Sequence, residues 1–482
     1  MTEYFVANSG DDSNNGQSEE NAWKTLAKVN GSSFNPGDNI LFKRGDTFMG
    51  RLRPTINGEL GEHIVFGAYG SGNKPIINGV GQSDSLLVSG GLHMTFQDLN
   101  LQLADGIGAG YGIRLTNACD DIYLARLDVV NTLREGIFIN QSSNVVAEDC
   151  TATGCFVGLQ FWGASHHCRV VGGSYYLNDE EGLDIEDGSH DIEVIGTTCH
   201  SNTKSGFDVD HAARDCVYRR CPAYSNGDNG FSICNDGDGF RYENCPSHSN
   251  GGNGWELQPG TGNNVVIVHC TSANNGSRNY RLDGGANHVF KNNIGKQAGW
   301  GSQLRMSAIV ASTITIDYNC YYQASSAKNM IDTSEYSTLE DWQVATGQEI
   351  HSLFADPIFV DEFTDLHLQL TSPCVDAGVD IGQSFEGLAP DIGAYEVAKM
   401  PGKNVNIWIT NWTNTGLTTP VPRWTADIAI EWTKGDGTPG THSGTYTFPN
   451  VLAGVPLSRI RQYMEEIILR EVRIQLGIDE EK

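Results

Sequence analysis

One short phrase recurs between Gly112 and Gly260: glycine, apolar, variable, apolar, variable. It reads Gly112-Ile-Arg-Leu-Thr, Gly136-Ile-Phe-Ile-Asn, Gly158-Leu-Gln-Phe-Trp, Gly182-Leu-Asp-Ile-Glu, Gly206-Phe-Asp-Val-Asp, Gly230-Phe-Ser-Ile-Cys and Gly254-Trp-Glu-Leu-Gln. The steps between these glycines are 24, 22, 24, 24, 24 and 24 residues. A second register, Asn178, Asn202, Asn226, Asn250 and Asn274, also advances by 24. A fixed period of this length with strand-type alternation inside it predicts a β-solenoid. One repeat cannot bury its own apolar face, so each must stack on its neighbours.

Alternation turns the period into geometry. Leu183 and Ile185 point one way, Asp184 and Glu186 the other. In a parallel stack, equivalent residues lie about 4.8 Å apart from coil to coil. The inward columns make a continuous core. One outward column runs Arg114, Phe138, Gln160, Asp184, Asp208, Ser232, Glu256. A second runs Thr116, Asn140, Trp162, Glu186, Asp210, Cys234, Gln258. Asp184, Glu186, Asp208 and Asp210 therefore form a two-by-two carboxylate block, with Trp162 one coil before it. After Gly260, Asn279-Tyr-Arg-Leu-Asp continues the phrase one residue late, bringing Arg281 and Asp283 into the same columns. Gln303-Leu-Arg-Met reads as one more rung.

Three divisions follow from the pattern: residues 1–60 as an N-terminal cap with the first strands, 61–398 as the solenoid, and 399–482 as a small α/β domain. Trp23 to Asn30 reads as a short amphipathic helix, suited to covering the exposed end of a stack. A helical excursion is expected around Glu335 to Gly347. Beyond the linker Pro401-Gly402, strands are expected at Asn406-Ile-Trp-Ile-Thr, Asp427-Ile-Ala-Ile-Glu-Trp-Thr and Thr445-Tyr-Thr-Phe. A helix follows from Pro456, with Ile460, Met464, Ile468, Val472 and Leu476 as its stripe.

Charge and cysteines limit the partners. With 31 basic against 59 acidic residues the net charge is −28, which argues against nucleic acid and disfavours an anionic polymer without a cation. No apolar run approaches membrane-spanning length, so no membrane insertion is expected. The first residues lack the basic and apolar regions of a signal peptide. An extracellular or virion-associated place then implies a removed signal or release by another route, such as lysis. Cys150, Cys221, Cys245 and Cys270 fall near one column, which suits small buried thiols better than disulfides.

Particular phrases carry a family resemblance. Tyr4-Phe-Val-Ala-Asn-Ser-Gly-Asp-Asp, Trp23-Lys-Thr-Leu, Pro36-Gly-Asp and Gly70-Ser-Gly-Asn-Lys-Pro-Ile-Ile resemble the start of the right-handed parallel β-helix proteins of the pectate-lyase-like superfamily. Phe354-Ala-Asp-Pro-Ile-Phe-Val, Ser372-Pro-Cys-Val-Asp-Ala-Gly and Asp391-Ile-Gly-Ala-Tyr-Glu resemble its closing segments. The likeness covers about residues 1–398 and implies a mainly β, right-handed parallel β-helix. That superfamily holds lyases, hydrolases, epimerases and members without catalysis, so the fold does not choose among them. The segment from Ile428 through Leu476 resembles small domains of phage-encoded proteins, which implies a tailspike or depolymerase and a homo-oligomer, most simply a trimer, or a virion component.

Scattered outward carboxylates on a solenoid need no role. Four on two adjacent rungs repel one another, and such clusters raise a pKa or bind a cation. One reading is glycoside hydrolysis of a polysaccharide, with Asp184, Glu186, Asp208 and Asp210 supplying acid and base or nucleophile. Trp162, Gln160, Glu256, Arg281 and His211 then contact the sugar. A second reading is a calcium-assisted lyase or epimerase. Glu180-Glu-Gly-Leu-Asp184 is similar to the Asp-Asp-Gly-x-Asp calcium motif of some β-helix pectate lyases. It implies Ca²⁺ on Glu180, Glu181, Asp184 and Asp208, and no organic cofactor. Those lyases carry a lysine base in a phrase like Gly-Phe-Lys, where this chain has Gly206-Phe-Asp and Gly230-Phe-Ser. Lys204, His211, Arg214 and Arg241 are the nearby substitutes. A third reading is a non-catalytic spike, decoration or glycan-binding rod.

Overall fold

The structure is a computed structural model. It describes residues 1–106, 110–299, 303–323 and 338–397, and the backbone of 331–332, 405–414, 424–433 and 439–448. Contacts divide the chain into Met1–Val397 and Ala398–Lys482.

The first unit is a right-handed parallel β-helix. Three sheets, of 13, 13 and 11 strands, run along it, the third beginning only at Asp84–Ser89. Parallel pairing begins earlier than the division at residue 60 implies. Glu3–Val6 pairs with Asn39–Lys43, which pairs with Ile64–Tyr69. The cap helix is shorter than its apolar pattern: Leu26–Asn30, with Thr25 as N-cap. Trp23 instead bridges to Val6 as extended chain and stacks on Tyr4. The excursion is the helix Leu339–Thr346, closed by Gly347 in the left-handed conformation. The coils end at Leu353–Phe354, and the remaining chain folds back over the second sheet. There Phe359, Leu366, Leu368, Cys374 and Ile392 pack with Ala273, Ile294 and Cys320.

The third sheet carries the repeated phrase. Its register pairs Gln160 with Asp184, Asp184 with Asp208, Asp208 with Ser232, Ser232 with Glu256, Glu256 with Arg281, and Arg281 with Arg305. Inside, Phe207, Phe231, Trp255 and Tyr280 stack at 4.9, 4.6 and 5.2 Å between ring centroids. The glycine that opens each phrase has a steric cause. A Cβ on Gly182 would stand 2.7 Å from the Gly206 carbonyl oxygen and 2.8 Å from the Asn202 amide nitrogen.

The asparagine register is an internal ladder. Asn178, Asn202 and Asn226 each donate from Nδ2 to the Oδ1 of the next, at 3.0, 3.1 and 3.0 Å. Each Oδ1 also accepts the backbone N–H of the preceding asparagine. The last rung corrects the sequence register. Asn250 donates to Asn275, not Asn274, at 3.0 Å. Asn274 takes the left-handed turn position that Ser249 holds one coil earlier, with φ of 55° against 57°. That coil gained one residue, which is also why the next phrase begins at Asn279. All twelve cysteines are free and buried. Cys150, Cys221, Cys245 and Cys270 sit in the turns after first-sheet strands and point Sγ at a carbonyl one coil back.

In the second unit, Val405–Asn414, Trp424–Thr433 and Pro439–Phe448 form a three-stranded antiparallel sheet. The helix read from Pro456, on which the trimer and virion expectations rest, lies outside the described residues.

Asn226→Ala removes the acceptor of the Asn202 amide and the donor to the Asn250 side chain. Each buried group left unpaired costs about 1–3 kcal/mol, so the Asn202 amide is expected to exchange roughly 10- to 100-fold faster. Hydrogen-exchange mass spectrometry across residues 199–205 checks this.

Candidate active site

The outward columns lie as the period sets them, but they are not equally open. Asp184 is only 2% exposed, which corrects the picture of four carboxylates on one open surface. Gln160, itself 7% exposed, donates from Nε2 to Asp184 Oδ2 at 2.8 Å. It supports the carboxyl and is closed to a substrate. Among the described residues, Asp184 Oδ1 finds no hydrogen-bond donor. With the charges of Asp208 and Glu186 on the same face, the buried Asp184 carboxyl is most stable with a proton.

The electrostatics assign that proton. Burial, then the charges of Asp208 and Glu186, push the Asp184 carboxyl well above the ordinary carboxylate range, against the opposing Gln160 hydrogen bond. Asp208 is half-buried and pushed up to about 7, by burial first and then by Asp210 and Glu186. The Ser232 hydroxyl and Lys204 oppose that rise. Glu181 is likewise raised to about 7, by burial and then by Asp208. Asp208 and Glu181 therefore take up protons near neutral pH.

Trp162 borders this block on the coil before Glu186. It is 38% exposed, an indole open to stacking. His211 lies on the other side, with Nδ1 3.2 Å from Asp210 and 3.8 Å from Glu186. Further along, Glu256 and Arg281 are less available to substrate than their outward positions suggest. Arg281 pairs with Glu256 and donates to Asp283 at 2.7 Å, and Arg305 joins Asp283 at 3.0 Å. Glu256 also accepts from Asn229 at 2.8 Å. Lys204 is paired with Glu180 and stands 3.8 Å from Glu181.

The calcium expectation can be tested against these donors. Calcium takes six to eight oxygen ligands. Glu180 is held by the Lys204 ammonium, and Asp184 is buried under Gln160 with its proton. Among the described residues, no three of Glu180, Glu181, Asp184 and Asp208 bring ligand atoms within 4.8 Å of one another. Among the described residues, the side chains of this face whose ligand atoms come within 4.8 Å of one another are Glu186, Asp210 and His211.

Two features escaped the sequence reading. The residue before each phrase glycine forms a third column: Glu135, Glu181, Asn229 and Asn253 flank the groove. Asn253 N–H donates to Asn229 Oδ1 at 2.7 Å, which orients Asn229 toward Glu256. This column obeys the same period and could have been read from it. An aromatic and basic wall lies before the block. Tyr111 stacks on Phe138 at 5.1 Å, and the Arg134 guanidinium lies 5.8 Å from both Tyr111 and Phe156. Tyr111 precedes Gly112 and so heads the same third column, but Phe156 lies two residues before Gly158 and falls outside it, so no single register joins them.

No family model matches the chain. One stretch is 39% identical over 89 residues to lacto-N-biosidase of Bifidobacterium longum subsp. longum, covering 16% of this chain. The chain spans 6% of the length of that curated relative. Among solved structures, the chain is similar to pectate lyase Pel9A, with a TM-score of 0.52 and 19% identity over 82% of this chain and 96% of that one. It is similar to XylC in complex with xylose, with a TM-score of 0.52 and 9% identity over 70% and 86% of the two chains. For the GH136 lacto-N-biosidase of Eubacterium ramulus the TM-score is 0.49, with 15% identity over 74% and 67%. The likenesses to Pel9A and XylC show the shared β-helix fold.

Two outcomes follow from the site's charges. The folded protein holds the Asp208 proton more tightly than an unfolded chain, whose carboxyl titrates near 3.8. Its contribution to stability is therefore full below about pH 4, declines as pH rises, and is lost by about pH 7. Asp208→Asn, which cannot ionise, is expected to raise the melting temperature at pH 8 more than at pH 4, read by thermal melts at both. Because the implied ligand atoms do not converge, calcium is expected to leave the melting temperature at pH 7 unchanged, as calcium titration with EDTA reversal checks.

Proposed function

We propose that this chain binds a polysaccharide along the outward face of the third sheet and hydrolyses a glycosidic bond there. The observation that carries the reading is one half-buried carboxyl poised near neutral pH, Asp208, diagonally across adjacent coils from a second carboxyl, Glu186, with the buried Asp184 on the same face holding its proton. Hydrolysis needs those two states side by side: an acid for the leaving oxygen and a base for water.

The roles follow from exposure. Asp184 is too buried to meet a sugar, and by holding its proton it spares Glu186 and Asp208 a further negative charge. Asp208 protonates the leaving-group oxygen. Glu186, next to the Trp162 platform, accepts the proton of the attacking water. The two stand diagonally on adjacent coils, with Cα atoms roughly 8 Å apart. Carboxyl groups carried at such diagonal positions can take the separation of about 6.5–9.5 Å that leaves room for water and inverts the anomeric centre.

A lyase reading is disfavoured by the same groups. It needs an unpaired basic side chain against an acidic sugar, and Lys204 and Arg281 are held by carboxylates. The acidic face also repels uronates, which favours a neutral or amino sugar. The 89-residue match to a lacto-N-biosidase supports the broader reading of a carbohydrate-active protein, as does the β-helix shared with a pectate lyase.

A glycan panel scored for reducing ends and for unsaturated products tests the proposal. Reducing ends without unsaturation are expected, with inversion seen by proton NMR. Asp208→Asn and Glu186→Gln are each expected to lower kcat by about 10²- to 10⁴-fold, while Trp162→Ala raises KM. Activity is expected to fall as pH rises through about 7, where Asp208 loses its proton. Unsaturated products would replace hydrolysis by elimination, and binding without any product would leave a non-catalytic rod.

A further inference from the structure

We propose that His63, His93 and Asp121 form a zinc site on the first sheet, on a different face from the carboxylate block and independent of its function. The backbone brings the three together from distant positions. They precede Ile64, Met94 and Ile122, and the register pairs both Ile64 and Ile122 with Met94. The three side chains therefore stand on three successive coils at one edge of the sheet. Asp121 Oδ2 lies 2.9 Å from His63 Nε2 and 2.7 Å from His93 Nδ1. The three ligand atoms all fall within 4.8 Å of one another.

Zinc bonds imidazole nitrogen and carboxylate oxygen at about 2.0–2.2 Å, which puts ligand atoms of a tetrahedral site roughly 3.3 Å apart. The two Asp121–histidine spacings need to open by only about half an ångström to admit the ion. Two imidazoles and one carboxylate suit a borderline transition ion, not calcium or magnesium, whose ligands are oxygens. His63 also has an outer partner of the kind metal-bound histidines use. Its Nδ1 lies 3.0 Å from Thr95 Oγ1, and donation there leaves the Nε2 lone pair facing Asp121 and His93. All three side chains are partly open, at 21–36% exposure, so water can complete the coordination. The ion would clip three coils near the start of the helix, and binding only the folded chain would stabilise them.

The test uses the full chain freed of metal with EDTA. Calorimetry with zinc chloride is expected to give one ion per chain, with a zinc-dependent rise in melting temperature. Cobalt(II) is expected to give the visible bands of a four-coordinate site. Both are lost in His93→Ala and Asp121→Ala, and Thr95→Val weakens zinc binding by about 10- to 100-fold. His211→Ala leaves binding intact. No saturable binding by wild type would overturn the proposal and leave a hydrogen-bonded cluster alone. Binding that survives His93→Ala but is lost in His211→Ala would overturn it too, placing the ion at Glu186 and Asp210. If the ligand variants do not fold, the wild-type cobalt spectrum decides, and octahedral or absent bands overturn the proposal.

Discussion

The hydrogen bonds between successive coils set almost everything else in this protein. A parallel ladder repeats about every 4.8 Å, so whatever a coil carries at one position is laid against the same position of the next. Inside, that repetition is favourable. Aromatic rings stack from Phe207 to Tyr280, and asparagines bond to asparagines from Asn178 to Asn275. The phrase glycines persist because the ladder brings the next coil's carbonyl where a Cβ would sit.

Outside, the same repetition creates the site. Asp184 lies against Asp208 and cannot move away, because the register holds both. Like charges at that spacing cannot all ionise in a partly dry groove, and the conflict resolves by holding protons. Asp184 is the most buried and keeps its proton, while Asp208 and Glu181 hover near 7. The repeated fold thus turns an ordinary set of carboxylates into groups of unlike protonation, which acid–base chemistry requires. Further along the face, alternating signs satisfy one another. Glu256, Arg281, Asp283 and Arg305 form a chain of ion pairs that stiffens the groove without leaving a free charge.

Much of this was legible before any coordinates. The 24-residue step predicts the sheet register residue by residue, including the late phrase at Asn279 and the rung at Leu304. It also predicts that Asp184, Glu186, Asp208 and Asp210 share one place. Errors arose where local pattern and turn conformation diverge. Trp23 has a helical neighbour pattern, yet its backbone bonds go to Phe5 and Ala7 as extended chain. Asn274 keeps the 24-residue step, but a left-handed turn residue was needed there, so Asn275 took the ladder.

The period, the inward and outward sides of each strand and the clustering of the carboxylates are properties of the sequence by itself, because strand alternation and a constant step leave no other arrangement. Burial on the outward side is not such a property. Alternation says that Asp184 points away from the core, but the Gln160 side chain closing over it is a contact between coils. The pairing of Lys204 with Glu180 is of the same kind, since side-chain reach is not written in spacing. The grouping of His63, His93 and Asp121 is more distant still. Their separations of 30 and 28 residues follow no repeat, because the early coils carry loops of unequal length. Their meeting on one edge of the first sheet is a consequence of the folded stack alone.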